Sequence, residues 1–425
     1  LGAAALGLGG RTLVGLIAAR AGYDHAGKTW GSLNLGLKFS GVRRLVMTGN
    51  QAIAVGATAG GCKFYAAYPM TPASSILHWF AARGAKYGVL VKQAEDEIAV
   101  LNMAIGAGYA GVRSMCGTSG GGFALMTEAV GEAAMTETPV VIVNAQRGGP
   151  STGLPTKTEQ GDLFQMLGAS QGDFPKALIA PVSVEDAFYA TAEALNLAEK
   201  YQIPVMIASD LFLSEHMETV DPEHFDFSAI TIDRGAIAGP RTNGHGYKRY
   251  EDTDTGVSPR AFPGTEGCEH VAATDEHDED SSLISDVFTD EAKRIKMMNK
   301  RMRKLEFILK DMAPPKLQGP ADAELTLVGW GSTRGVIIES IQIMAKEGVK
   351  INHLQLRNLW PFPVEAVTTI LKSCRKTMIV ENNYSGQLAK LIRMETGIAM
   401  DEKCLKYDGE PFYPGDIVAR VKEVI

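Results

Sequence analysis

The run QAEDE, residues 93–97, places three carboxylates directly in front of an apolar segment with the composition of a buried helix. An acidic residue at the start of a helix normally caps it or interacts with its dipole, an effect worth about 0.3–1 kcal/mol. That ordinary role accounts for Glu95 and Asp96. The third acid needs a separate explanation.

Glu97 precedes Leu101 by four positions and Ile105 by eight, so the three side chains share one face of the predicted helix. Since that face points toward the core, the Glu97 carboxyl is expected to be desolvated next to two like charges. Both effects raise the pKa of a carboxyl group. A carboxyl of this kind can donate a proton to a ring nitrogen of a ligand, or share one with it.

Three loops follow strand-like runs, and open α/β sheets bind ligands beyond the carboxyl ends of their strands. In YPMTPAS, residues 68–74, two prolines fix the backbone around Thr71, and Ser74 or Ser75 can cap the next helix. The Thr71 hydroxyl and free amides there can bind an anion. A plain helix entry explains the same residues equally well.

The other two loops offer different chemistry. The glycine run GTSGGG, residues 117–122, lets backbone amides at a helix start approach an anionic ligand, although it lacks the ending of a Walker motif. Arg147 follows a buried strand and is backed by serine, threonine and Lys157, a combination suited to binding a carboxylate. The alternative for this third loop is a surface loop that carries one arginine.

Composition narrows the class of protein. A chain of 425 residues is long enough for two domains and a connection, and 45% apolar with 21% charged residues is typical of soluble globular proteins rather than membrane proteins. The net charge of −7 opposes nucleic-acid binding. Five scattered cysteines without a C-x-x-C pair predict no disulfide framework and no metal site in this chain, and a reducing, cytoplasmic setting.

The opening LGAAALGLGG carries no initiator methionine, so we expect the true beginning of the protein to lie upstream. The segment of residues 1–22 is predicted to be too short and too charged to span a membrane, and it is not predicted to be a signal peptide.

Four regions are predicted along the chain. An N-terminal region, residues 1–44, is followed by an α/β domain at residues 45–236, and a second α/β domain lies at residues 319–425. Between them lies a linker, residues 237–318, with one amphipathic helix from Asp290 to Asp311. The acidic run 274–280 has no ligand spacing and is interpreted as a solvated face rather than a metal site.

Six separated stretches together resemble the alpha subunit of the 2-oxoacid:ferredoxin oxidoreductases, most closely the 2-oxoglutarate enzymes. They are GNQAIAVGATAGGCKFYAAYPMTPAS, QAEDEIAVLNMAIGAGYAG, GTSGGGFALMTE, RGGPSTGLPTKTEQGDL, YKRYEDTDTGVSPRAFPG and RIKMMNKRMRKLE. The resemblance implies a pyrimidine-binding thiamin diphosphate domain at 45–236 and a transketolase C-terminal-like α/β domain at 319–425. Residues 1–44 are similar to the tail of a gamma-type domain.

The resemblance also implies roles for individual residues. Glu97 matches the glutamate that hydrogen-bonds the aminopyrimidine ring of thiamin diphosphate and promotes its imino tautomer. Thr71 and Arg147 match residues that hold the 1-carboxylate of the substrate, and Tyr68 and Pro69 match positions beside the cofactor. Ala73 and Gly161 stand where relatives often have serine, and neither change touches Glu97, Thr71 or Arg147.

The implied activity is oxidative decarboxylation of 2-oxoglutarate to succinyl-CoA and CO₂, with coenzyme A as cosubstrate and electrons passed to ferredoxin, or the reverse carboxylation. A beta subunit would supply the diphosphate- and Mg²⁺-binding domain and a 4Fe-4S cluster, in a dimer of alpha–beta heterodimers with the active site between subunits. Two alternatives remain: an enzyme for pyruvate or branched-chain 2-oxoacids, and a scaffold without catalytic activity.

Overall fold

The computed structural model describes residues 10–31, 35, 36, 38, 40–241, 246–284 and 289–425. The described residues up to Arg43 form one unit, and those from Arg44 onward form a second, compact unit. Parts of the predicted gamma-type tail and of the predicted linker therefore lie outside the described residues. None of the described helices is long and apolar enough to cross a membrane.

The first unit contains helix α1 (Gly10–Thr29). The strands of the second unit are β1 (Leu45–Met47), β2 (Phe64–Ala67), β3 (Leu90–Gln93), β4 (Ser114–Thr118), β5 (Val140–Gln146), β6 (Ala177–Ile179), β7 (Pro204–Asp210), β8 (Glu218–Val220), β9 (Leu317–Gln318), β10 (Leu325–Trp330), β11 (Ile351–Leu356), β12 (Asn358–Trp360), β13 (Thr377–Glu381) and β14 (Glu402–Leu405).

Its helices are α2 (Gly49–Ala59), α3 (Ser74–Arg83), α4 (Glu97–Tyr109), α5 (Gly120–Met135), α6 (Leu163–Leu167), α7 (Val184–Tyr201), α8 (Leu211–Glu215), α9 (Glu291–Asp311), α10 (Thr333–Lys346), α11 (Val364–Ser373), α12 (Gln387–Thr396) and α13 (Pro414–Val424).

Two mainly parallel sheets organise the second unit. The larger has the order β12-β6-β7-β5-β4-β2-β3, and only its edge strand β12 is antiparallel. The smaller has the order β14-β13-β10-β11-β9, again with one antiparallel edge, β9. Every residue of β5 and β7 is buried, because helices cover both faces of a parallel sheet. This burial explains the Val and Ile residues in both strands.

Strand β12 connects the two α/β regions. It belongs by sequence to the region predicted as a C-terminal domain, yet it pairs with β6 of the larger sheet. The predicted domain boundaries remain predictions, and the two regions share a backbone ladder in the structure.

Helix α2 packs closely on α7. A Cβ atom at Gly56 would lie 2.9 Å from the backbone carbonyl carbon of Phe188, inside van der Waals contact, so only glycine permits this approach. At the start of the helix, a Cβ atom at Gly49 would lie 3.0 Å from the backbone carbonyl carbon of Leu213, so the turn that contains Asn50 packs closely on α8.

The predicted amphipathic helix is present as α9, with Asp290 as its N-cap and Ile308 fully buried on its apolar side, but its buried face also includes charged residues. Ile295 is 61% exposed, whereas Lys300 and Lys304 are fully buried and both donate to the Glu137 carboxylate. These lysines hold the pKa of Glu137 well below its usual range despite the opposing effect of burial. An ion-pair cluster therefore anchors this helix, and apolar periodicity alone could not show it.

The interpretation of residues 274–280 as a solvated face is only partly correct, because Asp275 and Asp280 are exposed whereas His277 is buried and Glu276 and Glu279 are half-buried. The Glu276 carboxylate receives two hydrogen bonds from the Arg301 guanidinium, at 2.9 and 2.8 Å, and Glu279 pairs with Lys296 at 2.6 Å. The run folds onto the basic side of α9 because that helix supplies matching cations 17 to 25 residues downstream.

Candidate active site

The predicted loops meet at one edge of the larger sheet. Strands β5, β4, β2 and β3 are consecutive, parallel neighbours, so their carboxyl ends lie side by side. The loops after β2, β4 and β5 start there, and so does α4, which follows β3. The structure thus brings Glu97, Thr71, Arg147 and the glycine run to the same edge.

Glu97 is the first residue of α4 and is 3% exposed, on the same face as the buried Leu101 and Ile105. Asp96 acts as the N-cap, its Oδ1 accepting from the Ala99 amide at 2.8 Å. Burial, together with the nearby Asp96 charge, raises the pKa of Glu97. The predicted orientation and direction of the pKa shift are both confirmed.

The Oε1 atom of Glu97 is buried and has no hydrogen-bond partner among the described residues. A buried carboxyl oxygen without a donor is costly, and such an atom in a folded protein calls for an explanation. A ligand group that hydrogen-bonds this oxygen would supply the missing partner. The atom is therefore the clearest sign of a ligand at this edge.

The first turn of α5 forms the wall against which the Glu97 carboxyl packs. A Cβ atom at Gly122 would lie 2.6 Å from Cγ of Glu97 and still closer to its Oε1 and to the Thr118 hydroxyl. One residue earlier, a Cβ at Gly121 would meet only the Ser151 carbonyl oxygen, at 3.9 Å. Gly122 is thus required by the position of Glu97, and Gly121 is not.

The glycine run is predicted to stand at the start of a helix, and α5 in fact begins within the run, at Gly120. This start matters because it places Gly122 inside the first helical turn, beside the carboxyl group.

Arg147 and Thr71 are in direct contact. The Nη1 atom of Arg147 donates to the Thr71 carbonyl oxygen at 2.7 Å. Arg147 is half-buried, and the Thr71 side chain is exposed, as are Tyr68 and Pro69 in the same loop. The loop therefore holds the arginine, so that a cation and the exposed, hydroxyl-bearing Thr71 lie together at this edge.

The expected cap of helix α3 is wrong. Its N-cap is Ala73, and no side-chain cap hydrogen bond is formed. The Ser75 hydroxyl instead donates to Glu215 Oε1 at 2.9 Å and accepts from Asn50 Nδ2 at 2.8 Å. A longer-range network therefore uses the serine that the sequence assigned to a local role.

Lys157 is the second cation of the loop that the sequence predicts to bind a carboxylate. In the structure its ammonium group pairs with the Glu410 carboxylate, near the C-terminus. The pair is half-exposed, and it ties the 147–158 loop to the smaller-sheet region instead of leaving the ammonium group free.

Sequence reasoning missed Asp162 altogether. A Cβ atom at Gly120 would lie 2.6 Å from its Oδ1 atom, so this carboxyl packs against the start of α5 on the side away from Gly122. Burial raises the pKa of Asp162 to about 6, with Asn144 (Nδ2 to Oδ2, 3.2 Å) and the nearby Arg147 charge opposing the rise. No spacing rule links a residue at 162 to a helix start at 120.

Two family models match the chain. One, described as pyruvate flavodoxin/ferredoxin oxidoreductase, thiamine diphosphate-binding, covers residues 55–296, and the other, pyruvate:ferredoxin oxidoreductase core domain II, covers residues 323–417. The matches fall on the larger-sheet region with its linker and on the smaller-sheet region. With the parallel sheets described above, they confirm the predicted fold class.

Curated relatives agree. The chain is 37% identical over 398 residues to 2-oxoacid:ferredoxin oxidoreductase 1, subunit alpha, of Sulfurisphaera tokodaii, covering 90% of this chain and 62% of that protein. It is 33% identical over 370 residues to 2-oxoglutarate synthase subunit KorA of Methanothermobacter thermautotrophicus, covering 87% of this chain and 96% of that one. The chain thus spans less than two thirds of the length of the first relative.

A solved structure is also similar. It is the 2-oxoglutarate:ferredoxin oxidoreductase from Magnetococcus marinus with 2-oxoglutarate, coenzyme A and succinyl-CoA bound, at 39% identity and a TM-score of 0.83, covering 89% of this chain and 65% of that one. The family models, the relatives and this structure converge on one result. The chain belongs to the family of 2-oxoacid:ferredoxin oxidoreductase alpha subunits.

Proposed function

We propose that this chain is the alpha subunit of a thiamin diphosphate-dependent 2-oxoglutarate:ferredoxin oxidoreductase. The proposed reaction is CoA-dependent oxidative decarboxylation of 2-oxoglutarate to succinyl-CoA and CO₂, with electrons passed to ferredoxin, and the reverse carboxylation given a low-potential donor. The observation that carries the proposal is the buried, unpartnered Oε1 of Glu97 in a chain that matches a thiamine diphosphate-binding family model.

The residues at this edge fit the pyrimidine half of the cofactor. Glu97 offers a buried carboxyl with a raised pKa and one free oxygen, and this group suits a ring nitrogen that exchanges a proton. Tyr68 and Pro69 lie in the neighbouring loop and are proposed to contact the cofactor. When bound, thiamin diphosphate supplies a C2 position that adds to the 2-oxo carbon and takes up the electron pair left by departing CO₂.

The roles of the chain's own residues follow from the geometry. Glu97 is proposed to hold and transfer a proton at Oε1, kept in place by the first turn of α5. Arg147 and Thr71 are proposed to bind the 1-carboxylate of the substrate, since the half-buried guanidinium is in direct contact with the exposed Thr71. This contact would fix the 2-oxo carbon relative to the cofactor.

The proposed partner is a beta subunit that brings the diphosphate- and Mg²⁺-binding domain and a 4Fe-4S cluster. Curated relatives named as alpha subunits support a partner subunit. We propose a dimer of alpha–beta heterodimers in the cytoplasm, with ferredoxin as the electron acceptor. The five cysteines are free, as expected in a reducing compartment.

The substrate assignment is supported by relatives named for 2-oxoglutarate and by a neighbour solved with 2-oxoglutarate bound. The broader name of the Sulfurisphaera tokodaii relative favours a second candidate, an enzyme with wider 2-oxoacid specificity.

The complete alpha subunit, co-expressed with its beta subunit, should reduce viologen in a CoA-dependent reaction faster with 2-oxoglutarate than with pyruvate. Equal rates would refute the 2-oxoglutarate assignment, and no activity with any 2-oxoacid would favour a scaffold.

Replacing Arg147 tests the carboxylate site. Arg147→Ala should raise KM and lower kcat together, reducing kcat/KM about 10- to 100-fold, because hydrogen bonds to charged groups contribute about 1.5–3 kcal/mol. Steady-state kinetics across 2-oxoglutarate concentrations measure both constants. Arg83→Ala, which removes an exposed arginine at the end of α3, is the matched control and should leave them unchanged. An unchanged kcat/KM in Arg147→Ala would exclude the proposed contact.

A further inference from the structure

Asn50 is the second residue of α2 and is fully buried. It belongs to the GNQAIAVGA stretch on which the family resemblance partly rests, yet the proposed function gives it no role. Its Nδ2 atom donates to the Pro72 carbonyl oxygen and to the Ser75 hydroxyl oxygen, both at 2.8 Å. The Ser75 hydroxyl donates in turn to Glu215 Oε1 at 2.9 Å.

The direction of these hydrogen bonds follows from the partners. The Pro72 carbonyl can only accept, so the amide nitrogen of Asn50, and not its oxygen, must face the loop. A Glu215 carboxylate also only accepts, which leaves the Ser75 oxygen free to accept from Asn50. Asn50 therefore donates to the loop, and Ser75 of the loop region donates to Glu215 in α8.

The loop held by this network carries part of the proposed substrate site. Pro72 directly follows Thr71, whose carbonyl oxygen accepts from Arg147 Nη1 at 2.7 Å. Asn50 binds the carbonyl of Pro72, and Arg147 binds the carbonyl of the preceding residue, Thr71. Since α2 is itself held close against α7, Asn50 connects the 68–74 loop to a rigid part of the core.

We propose that Asn50 is a positioning residue that sets the Thr71–Arg147 pair for binding the substrate carboxylate. The proposal rests on the proposed function for its kinetic consequence, although the loop anchoring can be measured without it. None of the hydrogen bonds of this network involves Glu97, so the cofactor side of the site is not expected to depend on Asn50.

The test uses the complete alpha subunit assembled with its beta subunit. Asn50→Ala should raise KM for 2-oxoglutarate about tenfold, the equivalent of one hydrogen bond, while kcat stays within about threefold and the Kd for thiamin diphosphate is unchanged. Asn50→Asp keeps the shape and removes the donor, and its KM should rise at least as much.

The matched control is Gln51→Ala, one residue along the same helix. Gln51 forms the capping box with Thr48 and makes none of the loop contacts, so its loss should weaken the start of α2 and leave KM unchanged. If Asn50→Ala fails to assemble, Ser75→Ala removes the hydroxyl that accepts from Asn50 and donates to Glu215, while the Asn50 hydrogen bond to the Pro72 carbonyl remains, and a two- to threefold rise in KM is expected.

Hydrogen–deuterium exchange gives a second readout that needs no substrate. Amides in residues 68–76 should exchange faster in Asn50→Ala than in the wild type or in Gln51→Ala. Faster exchange in an enzyme that turns over no 2-oxoacid would support the anchoring and refute the proposed function. The proposal would be overturned if Asn50→Ala changed neither the exchange rate nor KM. It would also be overturned if Asn50→Ala and Gln51→Ala raised KM, lowered kcat and weakened cofactor binding to the same extent.

Discussion

Glu97→Gln should reduce turnover by roughly 10²–10⁴-fold, the range expected when a positioned proton-transfer group is removed. The side chain keeps its size, so the complex with the beta subunit should still assemble. The measurement is CoA-dependent viologen reduction with 2-oxoglutarate, with size-exclusion chromatography to check assembly. Near-normal turnover in an assembled complex would remove Glu97 from its proposed role.

The same substitution should stabilise the protein without cofactor. Burial raises the pKa of Glu97 in the folded state, so the folded protein keeps this proton at pH values where the unfolded chain has released it. Wild-type stability therefore falls as pH rises from the ordinary glutamate pKa through the raised one. Glu97→Gln removes this effect, and its Tm advantage should be absent in acid and grow toward neutral pH.

Gly122→Ala should lower kcat by about 100-fold or more in the protein that folds, with some loss of Tm. The added methyl group would overlap Cγ and Oε1 of Glu97 and the hydroxyl of the buried Thr118, so the Glu97 side chain must shift. The consequence falls on catalysis, because a displacement of about 1 Å in a catalytic group can cost about 100-fold.

Gly121→Ala is the matched control, since it adds the same methyl group to the same helical turn where the only near atom lies at 3.9 Å. Tm, kcat and KM should all stay close to wild type in this variant. Equal losses of kcat in both alanine variants would mean that the glycine run acts through backbone flexibility, and that Gly122 has no specific role in placing Glu97.

Some of the site could be predicted from the sequence because it depends on local rules. The position of Glu97 follows from helical spacing to Leu101 and Ile105, and the meeting of the loops follows from parallel strands. The contact between Gly122 and Glu97 could not be predicted, because nothing in the sequence specifies how the starts of α4 and α5 approach each other.

The same limit explains the errors elsewhere in the chain. On α9, Lys300 is buried because it pairs with Glu137, 163 residues earlier in the chain, and apolar spacing predicts neither this pair nor the exposure of Ile295. Lys157 finds Glu410 at a separation of 253 residues. Ion pairs at such distances depend on the tertiary fold, and periodicity within one element carries no information about them.

The proton-transfer role of Glu97 can be measured directly as the rate at which the C2 proton of bound thiamin diphosphate exchanges with deuterium in D₂O, in the assembled complex and without substrate. Wild type and Gly121→Ala should exchange at equal rates, and Glu97→Gln should exchange at least about 100-fold more slowly. Exchange at the wild-type rate in Glu97→Gln, with the cofactor bound at full occupancy, would contradict this role.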